Sequence, residues 1–250
     1  MTGRALRGRS SPACRGLALG LAVALALAAA LSPVPALAAD GYESLRHAMV
    51  EQQVKQRGVT KPDVLAAMDH VPRHLFVPES LRDKAYSDQV LVLGQGRTLY
   101  TPYVVALMTS LLDLKPGSKV LEIGTGTGYH AAVLSRIARD VFSIEIVEPI
   151  ANQARQRLSV LGYHNVEVWG GDGYKGWPSK APFDAILLSV APPEIPKALL
   201  KQLRVGGKMV LPVGGGFFQD LLVITKTADG IEKKTIIPVR LQPMVQNGGK

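Results

Sequence analysis

Apolar positions along the chain fall into three rhythms. Across residues 44–58, Leu45, Met49 and Val54 recur among charged side chains. That spacing predicts an amphipathic helix stopped by Gly58. Residues 61–71 predict a second short helix, with Pro62 near its start and Pro72 just past its end. Residues 86–103 are mixed, with a Gly94-Gln95-Gly96 loop between two apolar stretches, and residues 102–112 follow as a helix.

From Lys119 the rhythm changes. Short β-branched runs at 119–123, 141–145, 166–169, 185–189 and 208–212 alternate with helical patterns at 129–139, 149–161 and 195–203. Alternation at this spacing predicts βαβ units, hence an α/β fold with a doubly wound, mostly parallel sheet covered by helices on both faces. The last two runs, 221–227 and 235–241, flank a turn at Ala228-Asp229-Gly230 and predict an antiparallel hairpin. The expected organisation is one domain over residues 40–250. Residues 40–115 form a helical cap and a loop, and residues 116–250 form the core.

Charge changes this picture at one end only. The 250 residues carry a formal +9, which suggests a nucleic-acid partner until it is located. The first 39 residues hold Arg4, Arg7, Arg9 and Arg15 and no acid, which leaves 25 basic against 20 acidic residues, or +5, in the rest. Residues 17–31 are Leu, Ala, Val and one Gly, and Ala36 and Ala38 form an A-x-A site before Asp40. A basic region, an apolar run and a small-residue site predict a secretory signal peptide over residues 1–39. Fifteen helical residues span about 22 Å, short of the roughly 30 Å hydrocarbon core, so cleavage is expected and no lasting membrane anchor. The product would be exported to an oxidising envelope, which suits a mature chain without cysteine, since Cys14 lies in the leader. A periplasmic monomer is expected. No basic run with interleaved aromatics supports binding to nucleic acid.

The candidate chemistry centres on Val120-Leu121-Glu122-Ile123-Gly124-Thr125-Gly126-Thr127-Gly128-Tyr129. A strand runs into three alternate glycines and a helix opens after them, so the backbone can turn tightly and approach a ligand. The dinucleotide spacing would require glycine at position 129, where Tyr129 sits. Glu145 ends the next strand, where an acid can take both hydroxyls of a ribose, and Asp172 follows the third strand in Gly170-Gly171-Asp172-Gly173. Glu122, an acid inside a buried strand, is expected to orient the loop or to reach the ligand's ammonium. Together these predict an adenosyl cofactor. The five histidines are scattered, so each is expected at the surface or in packing, and no metal site is expected.

This pattern resembles the class I S-adenosylmethionine-dependent methyltransferases, whose seven-stranded, Rossmann-like sheet ends in an antiparallel pair. Closer still is the resemblance to the protein-L-isoaspartate O-methyltransferase family, carried by Val71-Pro72-Arg73-His74-Leu75-Phe76-Val77, Gly94-Gln95-Gly96-Arg97-Thr98, Pro102-Tyr103-Val104-Val105-Ala106 and Ala191-Pro192-Pro193-Glu194-Ile195-Pro196. The resemblance implies methyl transfer from S-adenosyl-L-methionine to the free α-carboxylate of L-isoaspartyl residues in damaged proteins and peptides. It implies cofactor binding by Gln95, Gly96, Glu122, Gly124, Thr125, Gly126, Gly128, Glu145, Ile146, Asp172 and Gly173. It implies substrate binding by Thr98, Thr101, Arg240, Leu241 and Gln242.

Two departures fall on the substrate side. The family pattern Gly-x-Gly-x-Thr-Ile-Ser-x-Pro has a serine where this chain has Tyr100, which is therefore the expected catalytic position. Where the family has Arg-Phe-Val-Pro-Leu, this chain has Arg240-Leu241-Gln242-Pro243-Met244. These changes leave two alternatives: a methyltransferase of the same fold for another carboxylate or small nucleophile, and an envelope protein that only binds the cofactor.

Overall fold

The computed structural model describes residues 37–94, 97–216 and 218–246. Contacts divide the chain between Ala38 and Ala39, and the unit from Ala39 onward is the one described below. The predicted leader lies outside the described residues up to residue 36. No described helix is long and apolar enough to cross a membrane.

One sheet has seven strands, and in spatial order they run from residues 166–170 through 140–145, 119–123, 183–188, 203–215 and 218–226 to 231–239. They are β3 (Lys119–Ile123), β4 (Asp140–Glu145), β5 (Val166–Gly170), β6 (Phe183–Leu188), β7 (Leu203–Gly215), β8 (Phe218–Lys226) and β9 (Ile231–Val239). Pairing is parallel from β5 to β7, and β8 runs antiparallel to both β7 and β9. The predicted C-terminal hairpin is therefore present, closed by the Thr227 amide on the Gly230 carbonyl at 2.9 Å. A separate two-stranded hairpin, β1 (Leu91–Gly94) with β2 (Arg97–Leu99), occupies the segment that the sequence left mixed.

Alternation along the strands sorts their side chains to two apolar layers. Val120, Val141, Ala185 and Val210 join one layer with α2 (Pro62–His70), α3 (Pro102–Leu112) and α4 (Tyr129–Ser135). Leu121, Ile144, Ile186 and Met209 join the other with Leu199 of α6 (Lys197–Gln202). Burial on both faces is the reason these strands are continuous apolar runs. α5 (Glu148–Val160) packs Leu158 into the first layer.

Three expectations are corrected. The first predicted helix is a composite: α1 (Leu37–Met49) continues as a π-helical turn over Val50–Val54, with the Lys55 amide bonded five residues back to Val50. The wider turn brings Met49, Val50 and Val54 to the core and leaves Leu45, expected on that face, 48% exposed. α4 ends at Ser135 and not at Arg139. β7 begins at Leu203, because its pairing skips from Phe183↔Leu203 to Ala185↔Lys208 around Gly206, whose φ of 78° favours glycine.

Candidate active site

Each element of the predicted core delivers its residues to the carboxyl ends of the parallel strands. Gly124 donates to the Ile144 carbonyl at 2.8 Å, so the loop leaves β3 still tied to β4. Gly126 has φ +54°, and a Cβ there would meet no protein atom within 4 Å. It lines a cavity of about 330 Å3. The absent side chain keeps that cavity space open. Gly128 serves differently. A Cβ on it would come within 3.1 Å of Leu158, so this glycine lets α5 pack close and is not part of the cavity wall.

The acids divide in the same way. Glu145 ends β4 on the cavity wall, with Oε2 accepting the Gly126 amide at 2.9 Å and Oε1 accepting the Val147 amide at 3.1 Å. Each oxygen keeps a second lone pair for a ligand hydroxyl. Glu122 lies beneath the loop, off the wall. The register pairs it with Ser143 of β4, whose Oγ donates to Glu122 Oε2 at 2.5 Å and lies 2.5 Å from Thr125 Oγ1. Burial pushes the Glu122 carboxyl up to about 8. Through Ser143 its Oε2 is tied to Thr125 of the loop, while its buried Oε1 has no hydrogen-bond partner among the described residues. Asp172 is buried behind the wall and caps a turn through the Tyr174 amide at 2.9 Å, while its neighbour Gly173 faces the cavity. Thr125 and Ile146 also line it.

On the opposite side, Thr98, Tyr100 and Gln242 line the same cavity. Gln242 donates from its main-chain amide to Tyr100 Oη at 2.8 Å and from Nε2 to Thr98 Oγ1 at 3.1 Å. Burial pushes the Tyr100 hydroxyl up to about 12, so it stays protonated. The Gln219 side chain brackets Leu241, accepting its amide at 2.7 Å and donating to its carbonyl at 3.0 Å. Ala191 bonds the Gln242 carbonyl at 2.7 Å and the Met244 amide at 2.8 Å. Thr101 stands off the wall and caps α3 by accepting the Val104 amide. Arg240 and Leu241 are also outside the wall. Gln95 and Gly96 lie outside the described residues.

His130 was not singled out by sequence. It is buried, lines the cavity, and bonds Thr109 Oγ1 through Nε2 at 2.9 Å. Thr109 already donates its own proton to the Val105 carbonyl, so the imidazole carries its proton on Nε2. Nδ1 faces Ser189 Oγ at 3.4 Å. Burial holds the ring near 3, hence neutral. The signal available was its place at the head of the apolar run Ala131-Ala132-Val133-Leu134, directly after the glycine loop. Among the described residues, no cluster of three or more His, Cys, Asp or Glu side chains forms a metal site.

An adenosyl ligand fits this donor set. It needs a paired acceptor for a diol, which Glu145 offers, and close main-chain approach, which Gly126 permits.

A family model described as protein-L-isoaspartate(D-aspartate) O-methyltransferase (PCMT) matches residues 44–249. A protein-L-isoaspartate O-methyltransferase of Synechococcus sp. strain JA-2-3B'a(2-13) is 52% identical over 222 residues, covering 86% of this chain and 91% of the relative. One from Picosynechococcus sp. strain PCC 7002 is 51% identical over 214 residues, covering 86% and 96%. A solved protein-L-isoaspartate O-methyltransferase superposes with a TM-score of 0.75 at 31% identity, covering 82% of this chain and 67% of that one.

Proposed function

The chain belongs to the protein-L-isoaspartate(D-aspartate) O-methyltransferase family, and on that premise we propose how its own residues carry out the family's reaction. The protein is an S-adenosylmethionine-dependent enzyme that methylates the free α-carboxylate of L-isoaspartyl residues, a step in protein repair. The observation that carries the assignment of residues is that Gly124, Gly126 and Glu145 line one cavity together with Thr98, Tyr100 and Gln242.

Glu145 would hold the ribose hydroxyls, Gly124 to Gly126 would pass close to the donor, and Ile146 and Gly173 would border the base. Asp172 would act by fixing the turn that presents Gly173. When bound, S-adenosylmethionine supplies an electrophilic methyl group. The acceptor carboxyl ionises at a pKa of about 3.3–3.7, so it is already a nucleophile and no side chain need remove a proton. The residues therefore act by alignment and by excluding water. Tyr100 would touch the carboxylate as a neutral donor, and His130, held neutral, adds no competing charge to the wall.

The test is transfer of a labelled methyl group to an isoaspartyl peptide and to its aspartyl twin. Labelling of the isoaspartyl peptide alone is expected. Equal labelling of both would refute the acceptor assignment.

We also infer export. The leader composition supports it. N-terminal sequencing of the native protein should begin at Ala39 or Asp40, and retention of Met1 would refute cleavage. We infer a monomer, since no wall of the described cavity needs a residue from a second chain. Light scattering should give a single-chain mass.

A further inference from the structure

Gln242 makes two bonds that leave two hydroxyl groups in the same condition. Its amide N–H occupies an acceptor position on Tyr100 Oη at 2.8 Å, and its Nε2 occupies one on Thr98 Oγ1 at 3.1 Å. Neither bond uses the hydroxyl proton. Thr98 and Tyr100 line the same cavity as the glycine loop, and both hydroxyl protons remain to donate toward an acceptor there. A carboxylate, with two oxygens that only accept, is the ligand class that such a pair of donors fits.

The main chain around Gln242 is fixed independently. Gln219 brackets Leu241, and Ala191 bonds the Gln242 carbonyl and the Met244 amide. Every main-chain polar group from Leu241 to Gln242 is thus tied to the scaffold except the amide that points at Tyr100. That fixed amide makes the direction of the Tyr100 hydroxyl a property of the backbone. The direction of the Thr98 hydroxyl depends on the Gln242 side chain.

We propose that Gln242 is a positioning residue for the methyl acceptor: it orients the Thr98 and Tyr100 hydroxyls as a two-donor cradle for the substrate carboxylate. This rests on the acceptor assignment above. Gln242 itself need not touch the substrate. Thr98 matches the resembled family pattern, whereas Tyr100 and the Gln242 side chain depart from it, so this arrangement of the pair is particular to this chain.

The experiment measures binding of an isoaspartyl peptide to the full chain saturated with S-adenosylhomocysteine, by calorimetry, alongside the methyl-transfer assay. Gln242→Leu removes the Nε2 bond and keeps the main-chain amide. Gln242 is exposed and Thr98 half-buried, and melting temperature and S-adenosylhomocysteine affinity report whether the variants fold. Gln242→Leu and Thr98→Val should each weaken peptide binding about tenfold, the scale of one hydrogen bond to a charged group, and should raise KM with little change in kcat. The double variant should bind no more weakly than Thr98→Val alone, because Gln242 acts through Thr98. Peptide affinity unchanged in Gln242→Leu would overturn the proposal, as would a double variant whose loss is the product of the two single losses. A wild-type chain that binds S-adenosylhomocysteine but neither binds nor labels the isoaspartyl peptide would overturn the acceptor assignment and the cradle with it.

Discussion

Tyr100 Oη accepts the main-chain amide of Gln242 at 2.8 Å, across 142 positions of sequence. Two segments that differ from the resembled family pattern on the substrate side thus meet at this bond. A ring at position 100 reaches an amide that a serine hydroxyl, several ångströms shorter in reach, would leave without its partner. The bond needs the tyrosine at position 100 but only the main chain at position 242.

Tyr100→Phe keeps the ring and deletes the hydroxyl. It should lower kcat/KM on an isoaspartyl peptide by about 10–100-fold, the range for a hydrogen bond to a charged group, with S-adenosylhomocysteine affinity unchanged. Tyr100→Ser should not rescue activity above wild type, since it opens space and abandons the Gln242 amide. Kinetics of both variants at saturating donor check this.

Glu145→Gln should weaken S-adenosylhomocysteine binding by about 10–100-fold. The carboxylate accepts amides from Gly126 and Val147 with one lone pair on each oxygen. An amide side chain keeps one acceptor and turns a donor toward the other N–H. The glycine loop then loses a bond and the diol loses an acceptor. Calorimetric titration reads the change, and peptide affinity measured without cofactor should not follow it.

Two buried groups give opposed pH slopes. Glu122 is pushed up to about 8 from an ordinary 4.5, so the folded chain holds a proton that the unfolded chain releases, and stability falls as pH rises from about 4.5 to 8. His130 is pushed down to about 3 from 6.5, so the unfolded chain gains a proton that the folded chain refuses, and stability falls as pH drops from about 6.5 to 3. The slopes cancel between about 4.5 and 6.5, which predicts a plateau in melting temperature there with a decline on each side. Glu122→Gln should remove the alkaline decline and leave the acid one. Thermal melts from acid to mildly alkaline pH would show it, and an unchanged alkaline limb would count against Glu122 as its source.

The core was legible because its signals are local. Strand β3, the glycine loop and the start of α4 are consecutive residues, and Glu145 lies at the end of the next apolar run, so spacing alone located them. The acceptor side joins segments far apart. Nothing near Gln242 in sequence indicates Tyr100, and Gln219 gives no hint that it brackets Leu241. Gly128 and Asp172 were legible as parts of the motif but not in their tasks. Which glycine faces the cavity and which faces Leu158 depends on how α5 packs. His130 escaped notice because an isolated histidine has no pattern, and its burial is set by Thr109 and Ser189 on other elements.

Arg73 supplies the last prediction. It is fully buried, donates from Nε to the Ala85 carbonyl at 2.7 Å and from Nη2 to the Tyr100 carbonyl at 2.5 Å, and stacks 4.7 Å over the Tyr129 ring. Among the described residues no carboxylate pairs with it, and Nη1 has no hydrogen-bond partner. Burial lowers its pKa from the ordinary arginine value. A buried cation is costly unless its geometry is needed, and here the planar fork ties the segment before the hairpin to the residue that enters the cavity. Lysine carries the charge but cannot make both bonds from fixed directions. Arg73→Lys should lower the melting temperature by several degrees, in keeping with a loss of about 1–3 kcal/mol for an unsatisfied buried group. It should also lower kcat/KM by displacing Tyr100. In a Tyr100→Phe background the same substitution should cost the same stability but much less activity, because the hydroxyl that Arg73 helps to place is already gone. Equal activity losses in both backgrounds would show that Arg73 acts on the site by some route other than Tyr100.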